Sequence, residues 1–115
     1  MRLGTLKSKV SRDGDLVVVS RDGRRGILAT HIASNLRTAI ESWRDSQPKL
    51  LRLYDALNAG EVSGTFSIDE NHFHSPLPRS FQWADGSAFI HHIKLVRMAR
   101  KVPLPETLTT VPLMY

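Results

Sequence analysis

Asp85 and His92, separated by six residues in Asp85-Gly86-Ser87-Ala88-Phe89-Ile90-His91-His92, are of types that can do acid-base or metal chemistry. A neutral imidazole can take a proton from water, and a carboxylate joined by others can hold a hard cation. From the residues alone Asp85 reads first as a cap on the backbone N–H groups of the helix that follows. A second pair, His72 and His74, alternates about Phe73, so in a strand both could face one metal; exposed linker histidines are the plainer reading. There is no cysteine, which excludes disulfides and thiolate zinc and leaves oxygen or imidazole ligands, the chemistry of Mg, Ca or Mn.

The elements that must position these groups follow from periodicity. Phe89, His92, Ile93 and Val96 fall on one helical face, with Lys94, Arg97 and Lys101 on another that should meet solvent. His92 is therefore expected to point inward. Five of the six prolines lie between Pro76 and Pro112, and Ser75-Pro76-Leu77-Pro78 reads as an extended linker. Upstream, Ser-Arg-Asp-Gly at 11–14 and 20–23 supplies turn chemistry on either side of Leu16-Val17-Val18-Val19. A meander over Leu3 to Val10, Leu16 to Ser20 and Ile27 to Ala29 is expected.

From Asn35 the period becomes helical. Leu36, Ala39, Ile40 and Trp43 form the apolar face of a first helix capped by Ser34 or Asn35. A second helix is expected with Ser46 as cap, Pro48 in its first turn and Gly60 at its end, its face made of Leu50, Leu51, Tyr54 and Leu57. Trp43, Ile40, Leu50, Tyr54 and Leu57 are the predicted packing residues. The fold class is α+β: a small antiparallel β-meander with two packed helices, then a proline-containing linker and one further helix. The predicted boundaries are 1–75 and 76–115.

The chain's 115 residues allow one domain, or a small domain and part of another, but not a complete multidomain enzyme. A hydrophobic share of 41% with 23% charged residues is globular composition and argues against disorder. No apolar run suits a membrane span or signal peptide, so a soluble cytoplasmic protein is expected. The net charge is +5, carried by Arg12, Arg21, Arg24 and Arg25 and by Lys94, Arg97, Arg100 and Lys101. The first group is interleaved with Asp13, Asp15 and Asp22, which reads as solvated turns; nucleic acid is not the expected partner.

Several segments carry a resemblance. Asp85 with His92 seven positions on, introduced by Pro76-Leu77-Pro78 and trailed by Leu104-Pro105 and Tyr115, resembles the start of the catalytic domain of fumarylacetoacetate hydrolases. Met1-Arg2-Leu3-Gly4-Thr5-Leu6-Lys7, Asp15 to Ser20, Leu57-Asn58-Ala59-Gly60, Pro76-Leu77-Pro78-Arg79 and Gln82 to Ser87 are similar to the amino-terminal region of bacterial members that act in aromatic amino-acid breakdown. The resemblance covers essentially the whole chain.

It implies that Asp85 is one of a set of acidic ligands to Mg or Ca, and that His92, rather than His91, is the general base on water. Arg100, with Lys101 as the alternative, and Tyr115 are implied to contact the substrate. The implied reaction is hydrolysis of a carbon-carbon bond in fumarylacetoacetate or a related acylpyruvate-type 1,3-diketone. Such a reaction needs a water nucleophile, a charge-stabilising cation and groups that bind carboxylates. The other metal ligands, the acid that orients the histidine and a substrate lysine are expected downstream of residue 115. On this reading the chain is inactive alone, its partners are the remaining catalytic domain, a second copy in a homodimer and a small dicarboxylate or diketone substrate.

Two other readings stay open. A small basic binding domain would set Lys94, Arg97 and Lys101 against phosphates, though without an aromatic stacking platform. A protein-interaction module without catalysis would use uncovered apolar surface.

Overall fold

A computed structural model describes residues 1–87, 89–111 and 113–114. The chain divides into two compact units, Met1–Ser80 and Phe81–Tyr115. The first contains strands β1 (Arg2–Leu6), β2 (Asp15–Val19) and β3 (Arg25–Leu28), helices α1 (Leu36–Glu41) and α2 (Trp43–Ala59), and a two-residue strand β4 (Phe66–Ser67). The four strands make one antiparallel sheet in the order β1-β2-β3-β4. This is the α+β meander with packed helices that the sequence predicts.

Strand alternation sorts the sheet into two faces. Leu3 pairs with Val18, Val18 with Ile27 and Thr5 with Leu16, so these residues share a face. Leu16 and Val18 are fully buried there with Ala29, Leu36, Ala39, Leu50, Tyr54 and Leu57. Gly4 pairs with Val17 and Val19 with Gly26 on the other face. Val17 is also fully buried, so the second face has a cover of its own.

That cover is the chain after α2. β4 pairs with β3, and the Ile68 N–H donates to the Arg24 carbonyl at 2.9 Å. A 3-10 turn at Glu70–His72 follows, capped by Asp69. The chain then runs along the outer edge of β1, with Lys7 N–H donating to the His72 carbonyl at 2.8 Å and His74 N–H to the Thr5 carbonyl at 2.9 Å. A single segment thus pairs with β3, crosses the second face and closes the far edge of the sheet, which leaves β1 without exposed ladder groups along that stretch.

The first strand ends at Leu6 instead of Val10, because the Ser8 and Ser11 hydroxyls accept the N–H groups of Val10 and Asp13 and the chain turns. Val10 is 94% exposed. The second turn forms as expected, with Gly23 N–H donating to the Ser20 carbonyl at 3.0 Å and Gly23 at φ 78°.

Asn35 caps α1 through its Oδ1, which accepts the Thr38 N–H at 2.9 Å. The second helix corrects the sequence expectation at its start. Asp45 and Ser46 N–H groups already donate to the Ser42 carbonyl, so α2 begins at Trp43 and runs through Pro48. Ser46 is a buried residue inside the helix and not its cap. The earlier start leaves the phase of Leu50, Tyr54 and Leu57 unchanged. Leu36, Ala39, Leu50, Tyr54 and Leu57 are buried as predicted, while Ile40, Trp43 and Leu51 are 48%, 42% and 40% exposed. Gly60 ends the helix at φ 77°, and Glu61 N–H reaches back to the Ala56 carbonyl.

The second unit is sparse. It holds a two-stranded pairing of β5 (Gly86–Ser87) with β6 (Leu113–Met114) and helix α3 (Ile90–Ala99). Ile93 is its one buried hydrophobic residue among those described. No helix among the described residues is long and apolar enough to cross a membrane.

Candidate functional site

Asp85 lies directly before β5 and is exposed. It does not cap α3. The N-cap position is Phe89, whose side chain makes no capping bond. His91 and His92 occupy the first turn of α3, both exposed. The expectation that His92 points inward is therefore corrected. Only one residue of the predicted face, Ile93, is buried, whereas Phe89 is 74% exposed and Val96 half-buried. An exposed imidazole can exchange protons with water directly.

Among the described residues the Asp85 carboxylate and the His92 imidazole make no hydrogen bond or ion pair, and no group of three or more His, Asp or Glu side chains gathers as a metal cage. Mg or Ca takes about six or more oxygen ligands, so these residues do not hold such an ion by themselves.

The end of α3 has defined geometry. Arg100 is the C-cap, and Lys101 follows at φ 54°, in the left-handed region. Lys101 N–H donates to the Met98 carbonyl and Val102 N–H to the Arg97 carbonyl, both at 3.1 Å, which closes the helix with a Schellman pattern. Arg97 also donates to the Pro103 carbonyl at 3.3 Å. Arg100 and Lys101 thus have different backbone conformations. Tyr115 lies outside the described residues.

His72 and His74 are exposed on either side of the half-buried Phe73. His72 Nδ1 stands 3.3 Å from an Asp69 oxygen, within the 3-10 turn.

The first unit holds its own exit segment firmly. The Thr5 hydroxyl, 1% exposed as a residue, donates to the Pro76 carbonyl at 2.6 Å. Asp13 meets two cations, Arg37 at 3.5 Å and Arg79 at 3.8 Å. The stretch 73–79, which bends at Pro76-Leu77 and turns at Pro78-Arg79 instead of running extended as expected, is therefore pinned from Thr5 and from Asp13. These fastenings were not read from the sequence. Pro76-Leu77-Pro78-Arg79 signals an extended strap, but nothing local names Thr5 or Asp13 as its partners.

At the other end of the sheet, Asp22 accepts from the Ser20 hydroxyl at 2.6 Å and the Arg24 N–H at 3.0 Å. The Ser20 hydroxyl foremost, then the Arg24 N–H and the nearby arginines, lower its carboxyl below the usual 3.8. Asn58 ties this turn to α2, accepting from Arg21 N–H at 2.8 Å and donating to the Tyr54 carbonyl at 2.7 Å.

Residues 1–79 match the family described as fumarylacetoacetase N-terminal domain 2. The chain belongs to that family. No curated protein matches the chain. The match spans the four-stranded sheet, α1, α2 and the strap through Arg79, so the segments quoted for the resemblance from Met1 to Arg79 fall within that domain.

Proposed function

We propose that this chain is the amino-terminal part of a metal-dependent hydrolase that cleaves a carbon-carbon bond in fumarylacetoacetate or a related acylpyruvate-type 1,3-diketone, acting in the cytoplasm. The reading is carried by a family domain over residues 1–79 followed at once by Asp85 and, seven positions on, His92.

In this proposal His92 is the base that takes a proton from the attacking water, a task suited to an imidazole near neutral pH. Asp85 is one metal ligand, and Arg100 or Lys101 with Tyr115 binds the substrate carboxylate or carbonyl. Since the described residues do not form a metal cage, the remaining ligands are assigned to the remaining catalytic domain, and the 115-residue chain alone is expected to be inactive. The metal would supply Lewis-acid polarisation of the diketone oxygens. A homodimer of the complete enzyme belongs to the same proposal.

The test uses protein that carries the remaining catalytic domain. His92→Ala should abolish turnover while leaving Mg affinity by calorimetry nearly unchanged. Asp85→Ala should weaken Mg binding and lose activity with it, and His91→Ala should stay active. An active His92→Ala enzyme would overturn the assignment, as would metal-dependent cleavage by the pure 115-residue chain.

A further inference from the structure

The second face of the sheet carries a groove that the hydrolase reading does not use. It is lined by Leu6, Lys7, Phe66, Asp69, His72 and Phe73 and has a volume of about 300 Å³. That is the lower end of the range for small-molecule sites.

The groove exists because two strand positions lack side chains. A Cβ on Gly4 would stand 2.9 Å from the Phe73 ring, and one on Gly26 would stand 2.9 Å from the Phe66 ring. Both aromatic rings thus pack against bare backbone and are held there, Phe73 by the bridge to Leu6 and Phe66 by its pairing with Gly26. With Leu6 they form an apolar floor of three half-buried side chains.

The polar rim is equally fixed. Asp69 is occupied within its own turn, one oxygen accepting from the backbone and side-chain nitrogens of Asn71 at 3.0 Å each and the other lying 3.3 Å from His72 Nδ1. Lys7 Nζ donates to the Asn71 carbonyl at 2.7 Å. That bond uses one of three ammonium donors and holds the charge at the groove's edge. The groups left to meet a ligand are therefore two N–H donors of a cation and the outer nitrogen of His72, above an aromatic floor.

We propose that this groove is a binding site for a small carboxylate with a single-ring apolar body, the ring lying between Phe66 and Phe73 and the carboxylate on Lys7. The Lys7 ammonium beside apolar walls favours an anion of that shape over a neutral analogue, a preference that the Asp69 charge on the same rim reduces. The site is built wholly from the first unit and stands independently of the proposed reaction.

The experiment titrates the isotopically labelled 115-residue chain with 3-phenylpropionate and follows backbone amide shifts. Saturable shifts should gather at Leu6, Lys7, Phe66, Asp69, His72 and Phe73. The neutral analogue 3-phenylpropanol should bind at least about fivefold more weakly, and Lys7→Met should raise the Kd for the acid by about fivefold without changing that for the alcohol. Lys7 is a surface side chain, so the variant's unchanged spectrum elsewhere certifies its fold. Three results would each overturn the proposal: no saturable shift at these residues up to about 20 mM, equal affinity for acid and alcohol, or an unaltered Kd in Lys7→Met.

Discussion

The hydroxyl of Thr5 donates to the carbonyl of Pro76 at 2.6 Å, joining the first strand to a residue 71 positions later. Thr5 is buried, and His74 N–H donates to the carbonyl of the same residue, so Thr5 fastens the strap through both backbone and side chain. A proline carbonyl is a fitting target, since Pro76 has no N–H with which to join a ladder itself.

Thr5→Val should accordingly lose about 1 to 2 kcal/mol of stability, because the shape is kept while the Pro76 carbonyl loses its donor. Thr5→Ser should keep most of it. Denaturant titration measures the loss, and hydrogen exchange should locate it as faster exchange at Lys7 and His74. Uniform exchange across the sheet would show that the bond does not hold the strap.

A contrast between Leu50 and Trp43 tests the helix register. Leu50 is fully buried, and its replacement by Ala should cost about 2 to 5 kcal/mol. Trp43 is 42% exposed, and Trp43→Ala should cost about 1 kcal/mol or less in the same titration. A loss of core size at Trp43 would restore the face predicted from periodicity alone.

That face shows where sequence reading stops. Leu36, Ala39, Leu50, Tyr54 and Leu57 are legible because a period of three to four residues persists within each helix. Trp43 falls off the predicted face because the break at Ser42 changes the phase between α1 and α2, whereas Ile40 lies on α1 with Leu36 and Ala39 and is 48% exposed there. Pro48 hid this break: proline suits a first turn, but the bonds from Asp45 and Ser46 to the Ser42 carbonyl had already started the helix.

The strap is a different kind of miss. Its contacts link residues 5 and 13 to residues 76 and 79, and no local pattern encodes such pairings. For the proposed site, residue types and the Asp85 to His92 spacing are visible, but the exposure of His92 is not. Amphipathic periodicity says which residues share a face and says nothing about whether a unit is large enough to cover it.

Two glycines with almost the same backbone angle should respond very differently to alanine. Gly14 has φ 72°, and a Cβ there would stand 2.5 Å from Thr5 Cγ2 and 2.6 Å from the Leu6 carbonyl oxygen. The backbone oxygen cannot swing aside, so Gly14→Ala should cost about 3 kcal/mol or more by adding a clash to the left-handed strain. Gly60 has φ 77° with nothing within 4 Å of its Cβ position. Gly60→Ala should cost only the conformational penalty, about 1 kcal/mol. Equal losses in denaturant titration would mean that the close approach at Gly14 relaxes freely.

The last prediction concerns acid stability and Asp22. Its carboxyl is held below 3.8 in the folded chain, first by the Ser20 hydroxyl and then by the Arg24 N–H. A group with a lowered folded-state value favours the folded state above its unfolded value, and that contribution disappears as pH falls through the folded value. The relevant window therefore opens just under pH 4 and extends downward. Asp22 is on the surface, where solvent screens its interactions, so the effect should be a modest change in slope and not acid collapse. Asp22→Asn keeps an acceptor for the Ser20 hydroxyl and the Arg24 N–H but cannot titrate. Its melting temperature should fall less steeply than that of the parent chain below about pH 4, while the two run parallel above about pH 5. Ser20→Ala removes the leading cause of the lowered value, so it should flatten the same limb while leaving Asp22 ionisable. Parallel curves down to about pH 2.5 would show that the Ser20 to Asp22 bond does not couple protonation to folding.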